Sequence, residues 1–114
     1  MNWYKKSNFT KTARPYDKAA EMIMKSLPTV PSGYTRLFRG NRKSGDVGNP
    51  SYTNDLAGIA LPFMVAYGGD LSYVDVPTSE LEKYEQRGTV APSAEFFLPP
   101  ELLSQVKRVP ITRK

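Results

Sequence analysis

Gly33-Tyr34-Thr35-Arg36-Leu37-Phe38-Arg39-Gly40 is the stretch on which the fold turns. Its residues alternate as a strand requires, with Arg39 at the end where a glycine stops the pattern. Before it, Ala19, Ala20, Ile23, Met24 and Leu27 fall near one face of a helix expected over 18–27, capped by Asp17 and closed by Pro28 and Pro31. After it, residues 40–50 (GNRKSGDVGNP) are turn formers and read as a polar loop. Ser51-Tyr52-Thr53 then reads as a brief extended piece, and Asn54 or Thr53 can cap a helix over Leu56–Tyr67 that bends at Pro62 and ends at Gly68-Gly69. Leu71 to Pro77 alternates like a second long strand, and Thr78-Ser79-Glu80 can start a short helix through Glu85. Ser93 to Leu98 is a further strand, stopped by Pro99-Pro100, and Val106 to Ile111 a last one. This mixture of elements predicts an α+β fold.

A chain of 114 residues has room for one core and not for two. At 39% hydrophobic and 24% charged residues it lies in the globular range, and its ten prolines argue against a helical bundle. We divide it into a basic, aromatic arm over residues 1–16 and a single domain over 17–114. No cysteine or histidine is present. Disulfides, thiolate zinc sites, imidazole metal ligands and His-dependent triads are thereby excluded, so any chemistry must run on carboxylates, hydroxyls, Lys or Arg. Met1-Asn2-Trp3-Tyr4-Lys5-Lys6 carries no secretory pattern, and the longest apolar stretch, Leu56 to Tyr67, is short of the roughly 20 residues of a membrane helix. A cytoplasmic protein is expected.

The net charge of +5 is unevenly spread. Residues 1–44 carry ten Lys and Arg against Asp17 and Glu21, residues 45–103 carry Lys83 and Arg87 against nine acids, and residues 104–114 add four bases. A basic N-terminal part beside an acidic middle can attract a phosphate-bearing ligand, or the two parts can neutralise each other in the fold.

Three places put polar residues at the ends or faces of predicted strands. Arg39 can fork onto a phosphate, Ser51 and Thr53 can bond a carboxylate or a ribose, and Glu95, among apolar neighbours, can face a developing cation. Their order, Arg39-Gly40 after a strand, Ser51-Tyr52-Thr53 leading into a helix, then Ala94-Glu95-Phe96-Phe97-Leu98-Pro99, resembles the Arg–Ser–Glu class of ADP-ribosyltransferases. The run from about residue 34 to 110 looks like small phage and bacterial members of that fold. The resemblance implies two short facing sheets split by a cleft, helices at the periphery, and NAD as substrate, with no metal required. It implies that Arg39, beside Gly40, holds the pyrophosphate, and that the Ser51–Thr53 strand orients the glutamate, with Thr53 in the place of the family's last serine. It further implies that Glu95 bonds the nicotinamide ribose and stabilises the transition state, and that an aromatic, Tyr67 or Tyr52, covers the nicotinamide. ADP-ribose would pass to a macromolecular acceptor, protein or nucleic acid, or to water.

Two other readings stand beside this one. Trp3, Tyr4, Phe9 and Tyr16 interleave with Lys5, Lys6, Lys11, Arg14 and Lys18, a pattern that lets residues 1–18 stack on bases and contact phosphates. Alternatively the domain keeps the shape without the reaction and acts by binding, for example as an inhibitor of a host protein.

Overall fold

The computed structural model describes residues 15–43, 50–86 and 95–110 of the chain. The centre is an antiparallel ladder between β1 (Tyr34–Arg42) and β3 (Gly68–Pro77). Its register pairs Tyr34 with Pro77, Leu37 with Val74, Phe38 with Tyr73 and Gly40 with Leu71, and shifts between Gly40 and Arg42. Because side chains alternate, each strand feeds two apolar clusters on opposite faces. Phe38, Leu71 and Tyr73 face one cluster, and Leu37, Val74 and Val76 face the other. Leu37, Leu71, Val74 and Val76 are fully buried, each worth about 1.5–3 kcal/mol relative to exposure.

The first cluster is roofed by helices. Helix α1 (Asp17–Ser26) turns Ala20 inward and packs Ile23 against the cluster, with Leu27 buried just past its end, while Met22 and Met24 are exposed. The expected cap is corrected here. Tyr16 holds the N-cap position without a side-chain hydrogen bond, and Asp17 is itself the first helical residue, where its charge complements the helix dipole. At the other end Leu27 turns extended, as the following Pro28 requires.

The segment between Asp55 and Tyr67 departs from the simple bent helix. Residues Leu56–Ala60 form a π-helical turn: the amides of Ile59 and Ala60 both donate to the Asp55 carbonyl, at 3.0 and 3.1 Å. Asp55, not Asn54 or Thr53, is the cap, its carboxylate accepting from the Gly58 amide at 2.9 Å. Helix α2 (Leu61–Tyr67) follows with Pro62 in its first turn, where a missing N–H costs no hydrogen bond, so the proline starts a helix instead of bending one. Gly68, at φ +68°, ends α2 in the left-handed conformation and is already the first residue of β3. Gly69 therefore lies inside the strand and not in a terminator, and a Cβ there would stand 1.7 Å from the Asn41 carbonyl oxygen.

Against the second cluster lies a small sheet of β2 (Ser51–Tyr52) and β4 (Phe96–Phe97), antiparallel, with Ser51 opposite Phe97 and Tyr52 opposite Phe96. Among the described residues one bridge ties it to the large sheet: the Phe38 amide donates to the Thr53 carbonyl at 2.7 Å and the Thr53 amide to the Phe38 carbonyl at 2.8 Å. A 3-10 turn (Thr78–Glu80) and α3 (Leu81–Tyr84) follow β3, and Glu85 bridges to Phe96. Pro99 and Pro100 do more than stop a strand, since Pro100 opens a further short helix, α4 (Pro100–Leu103). The last strand, β5 (Lys107–Arg108), adds to β3 opposite Ser72 and Tyr73. The architecture is thus α+β with two antiparallel sheets, in orders β1-β3-β5 and β2-β4. Among the described residues no helix is long and apolar enough to cross a membrane.

Polar groups pin this arrangement. The Arg36 guanidinium is buried and meets both carboxylate oxygens of Asp75 across the ladder, at 2.7 and 2.8 Å, while donating to the Pro28 carbonyl and lying 4.6 Å over the Tyr73 ring. The hydrogen bond to Asp75 outweighs burial and raises the pKa of Arg36 further above its ordinary value. Buried Asn41 donates to Asp70 at 2.9 Å and to Ser72 at 2.8 Å, holding the strand ends where the register shifts. Of the expected arm, residues 1–14 lie outside the described residues, as do Ser93, Ala94, Ile111 and most of the polar loop. Tyr16 packs against the first cluster.

Candidate functional site

Beside the Phe38–Thr53 bridge lies a cleft of about 160 Å³. One wall is apolar, made by Phe38 with Ile59, Ala60 and Phe63. The other is polar, made by Arg39, Ser51, Thr53 and Glu95, with Tyr52 behind. Gly40 also lines the cleft.

Gly40 shows why the apolar wall comes so close. A Cβ at this position would stand 2.2 Å from the Ala60 carbonyl oxygen and 2.7 Å from the Met64 amide nitrogen. Only a residue without a side chain lets the π-helical turn and α2 lie directly on β1. Gly40 is therefore an interior strand residue that admits close packing, and β1 runs past it to Arg42 instead of ending at Arg39.

On the polar wall, three residues from three segments form a chain of contacts. The Arg39 guanidinium donates through Nη1 to the Ser51 carbonyl at 3.0 Å, and the Ser51 hydroxyl donates to Glu95 Oε2 at 2.7 Å. Strand pairing sets this geometry. Ser51 lies opposite Phe97, and Glu95, two residues earlier in the extended chain, returns to the same face. The amide of Gln86 donates to the Glu95 carbonyl at 2.9 Å and holds that backbone from the other edge.

Six of the seven residues expected at the site, Arg39, Gly40, Ser51, Tyr52, Thr53 and Glu95, line this cleft. Their individual parts differ from expectation in two respects. The hydroxyl that holds Glu95 belongs to Ser51, whereas the Thr53 hydroxyl accepts from the Asp55 amide at 3.0 Å and shapes the turn into the helix. Tyr67 does not line the cleft. It is 52% exposed at the end of α2, and the aromatic that α2 brings to the cleft wall, beside Phe38, is Phe63, one helical turn earlier. The sequence signal for Phe63 was its spacing of four from Tyr67, which puts both rings on one side of the helix, at 4.5 Å between centroids.

Tyr52 is buried among Leu37, Val74, Val76, Phe96 and Leu98 as much as it borders the cleft. Burial pushes its hydroxyl above the ordinary tyrosine value, and the nearby Arg39 charge pulls in the opposite direction. Its bulk serves the second cluster. Arg36 is bound to Asp75 away from the cleft, which leaves Arg39 as the arginine on the polar wall.

Comparisons of the chain with protein-family models, with curated proteins and with solved structures returned no match.

Proposed function

We propose that this chain is an NAD-dependent ADP-ribosyltransferase of the Arg–Ser–Glu class, with the split-sheet fold of that family, cleaving NAD and passing ADP-ribose to a macromolecular acceptor or to water. The observation that carries this reading is the contact chain Arg39–Ser51–Glu95 on one wall of a ring-sized cleft. A cavity of about 150 Å³ holds a benzene ring, so 160 Å³ suits a nicotinamide. Whole ligand pockets run to about 300–1,000 Å³, and the remainder of the dinucleotide would lie along the rim.

The chemistry asked of the protein is small. When the ribose–nicotinamide C–N bond breaks, its electron pair goes to the ring nitrogen, neutralising the pyridinium, and positive charge develops at the anomeric carbon. The acceptor oxygen or nitrogen then bonds that carbon and gives up its proton. With water as acceptor, the products are ADP-ribose, nicotinamide and a proton. In this reading the Glu95 carboxylate, held through Oε2 by Ser51, accepts from a ribose hydroxyl through its other oxygen and sets negative charge beside the anomeric carbon. The Arg39 guanidinium, which donates to the Ser51 carbonyl, grips the pyrophosphate. Phe63 and Phe38 cover the nicotinamide and exclude water.

The test is release of nicotinamide from NAD labelled in that ring, with and without cell extract, the protein, nucleic acid and free ADP-ribose fractions being inspected separately. Wild type is expected to release label, and Glu95→Gln to lose at least about 100-fold in rate at unchanged melting temperature. Equal release by both proteins, or none by wild type under either condition, refutes the proposal.

A further inference from the structure

Residues 56–69 (LAGIALPFMVAYGG) hold no charged side chain, yet their outer surface is not sealed in the core. Tyr67 is 52% exposed, one helical turn beyond Phe63 on the same side of α2, which continues the Phe63 wall of the cleft. The rings of Phe63 and Tyr67 lie 4.5 Å apart, and the Arg42 guanidinium lies 5.7 Å from the Tyr67 ring centre. The Lys43 backbone is held beside them, its amide donating to the Tyr67 carbonyl at 3.2 Å, and its side chain is exposed. Asp70, three residues after Tyr67, is engaged by Asn41 and Arg108.

We propose that this strip, Phe63–Tyr67–Arg42–Lys43, binds single-stranded nucleic acid and leads it to the cleft. Two adjoining rings with a guanidinium over the outer one are the components that bind a single strand without regard to sequence: faces for bases to stack on and cations for the phosphates. Charge complementarity supports this occupant, since the two charged residues of the strip, Arg42 and Lys43, are both cations. An acid-free apolar face would suit a protein partner equally, but cations set against the ring favour a polyanion. The use of the strip as an acceptor site rests on the transfer reaction proposed above; the binding does not.

Binding is therefore measured without NAD, by fluorescence anisotropy of a labelled oligothymidylate of about a dozen nucleotides, within the 4–16 nucleotides typical of such sites. Wild type is expected to bind with affinity that falls as salt rises. Tyr67→Ala should weaken binding by about 5-fold or more, and Tyr67→Phe, which keeps the ring, by far less. Arg42→Ala should lower the slope of log affinity against log salt by about 0.7, one phosphate contact on a single strand. Melting curves check that each variant is folded. Absence of wild-type binding at low salt overturns the proposal, and so does unchanged affinity in Tyr67→Ala and Arg42→Ala, because binding would then reside elsewhere, as in the basic arm. Failure to cleave NAD would leave these outcomes unaffected.

Discussion

Gly40→Ala is the most demanding test of the packing that makes the cleft. The added methyl would meet two backbone atoms, the Ala60 carbonyl oxygen at 2.2 Å and the Met64 amide nitrogen at 2.7 Å, and no rotamer change relieves either. Ordinary contact distances are about 3.5 Å or more, so the π-helical turn and α2 must move off β1 by about 1 Å. That shift loosens Phe38, Ala60, Leu61 and Met64 together, since all belong to the first cluster. Overpacking costs about 1–3 kcal/mol, and with backbone on both sides the upper end applies, a large share of a total near 5–15 kcal/mol. At 4–8 °C per kcal/mol for a domain of this size, melting should fall by roughly 10–20 °C. Gly33→Ala is the matched control. It sits at φ +84° with nothing within 4 Å of the new methyl, so it meets only backbone strain of about 1 kcal/mol. Calorimetry of the three proteins decides the matter. If Gly40→Ala melts within about 2 °C of wild type, the close approach of α2 to β1 is wrong, and with it the wall of the cleft.

The polar wall and the buried tyrosine give two further tests. Arg39→Ala should weaken NAD binding by about 1.5–3 kcal/mol, the worth of a charged hydrogen bond, with Arg39→Lys recovering part; equal affinities by titration calorimetry would remove the phosphate role from Arg39. Tyr52 is raised in the folded state, so its contribution to stability is intact below the ordinary tyrosine value near 10 and declines as pH rises from there through the folded value, because the unfolded chain ionises first. Tyr52→Phe should therefore lose less melting temperature than wild type between about pH 9 and 11, and parallel curves would show that burial does not perturb this hydroxyl.

Much of this molecule is legible from residue pattern alone. The alternation in Tyr34–Gly40 and in Leu71–Pro77 places both central strands, and the same period puts Leu37 and Phe38 in different clusters. Arg39, Ser51 and Glu95 could be picked out because each is a polar residue beside an apolar strand. What pattern does not carry is which neighbour arrives from far along the chain. Gly40 and Gly69 look like terminators locally, and only the approach of Ala60 and Asn41 makes them interior residues. Pro62 is a bend or a beginning depending on whether the turn before it is α or π, which Asp55 decides by accepting two amides at its carbonyl. Pro100 is the exception: proline at the start of a helix is a recognised local signal, and the Pro99-Pro100 pair carries both a strand stop and a helix start. The exchange of Tyr67 for Phe63 is a matter of one helical turn, finer than periodicity resolves.

The direct passage from α2 into β3 at Gly68 also bears on how the chain finds its shape. Pairing β1 with β3 closes a loop of about 25 residues, residues 43–67, at an entropic cost near (3/2)RT ln n, about 3 kcal/mol before any sheet contact is repaid. A slack linker would leave that cost to the ladder alone. Here the last part of the loop is α2 itself, which lays Leu61 and Met64 in the same cluster as Phe38 and Leu71, and which cannot reach that place without delivering Gly68 beside Arg42. Seating the helix and zipping the strands are one event, so the long-range pairing that slows mixed α/β chains is collected together with the apolar burial that drives it.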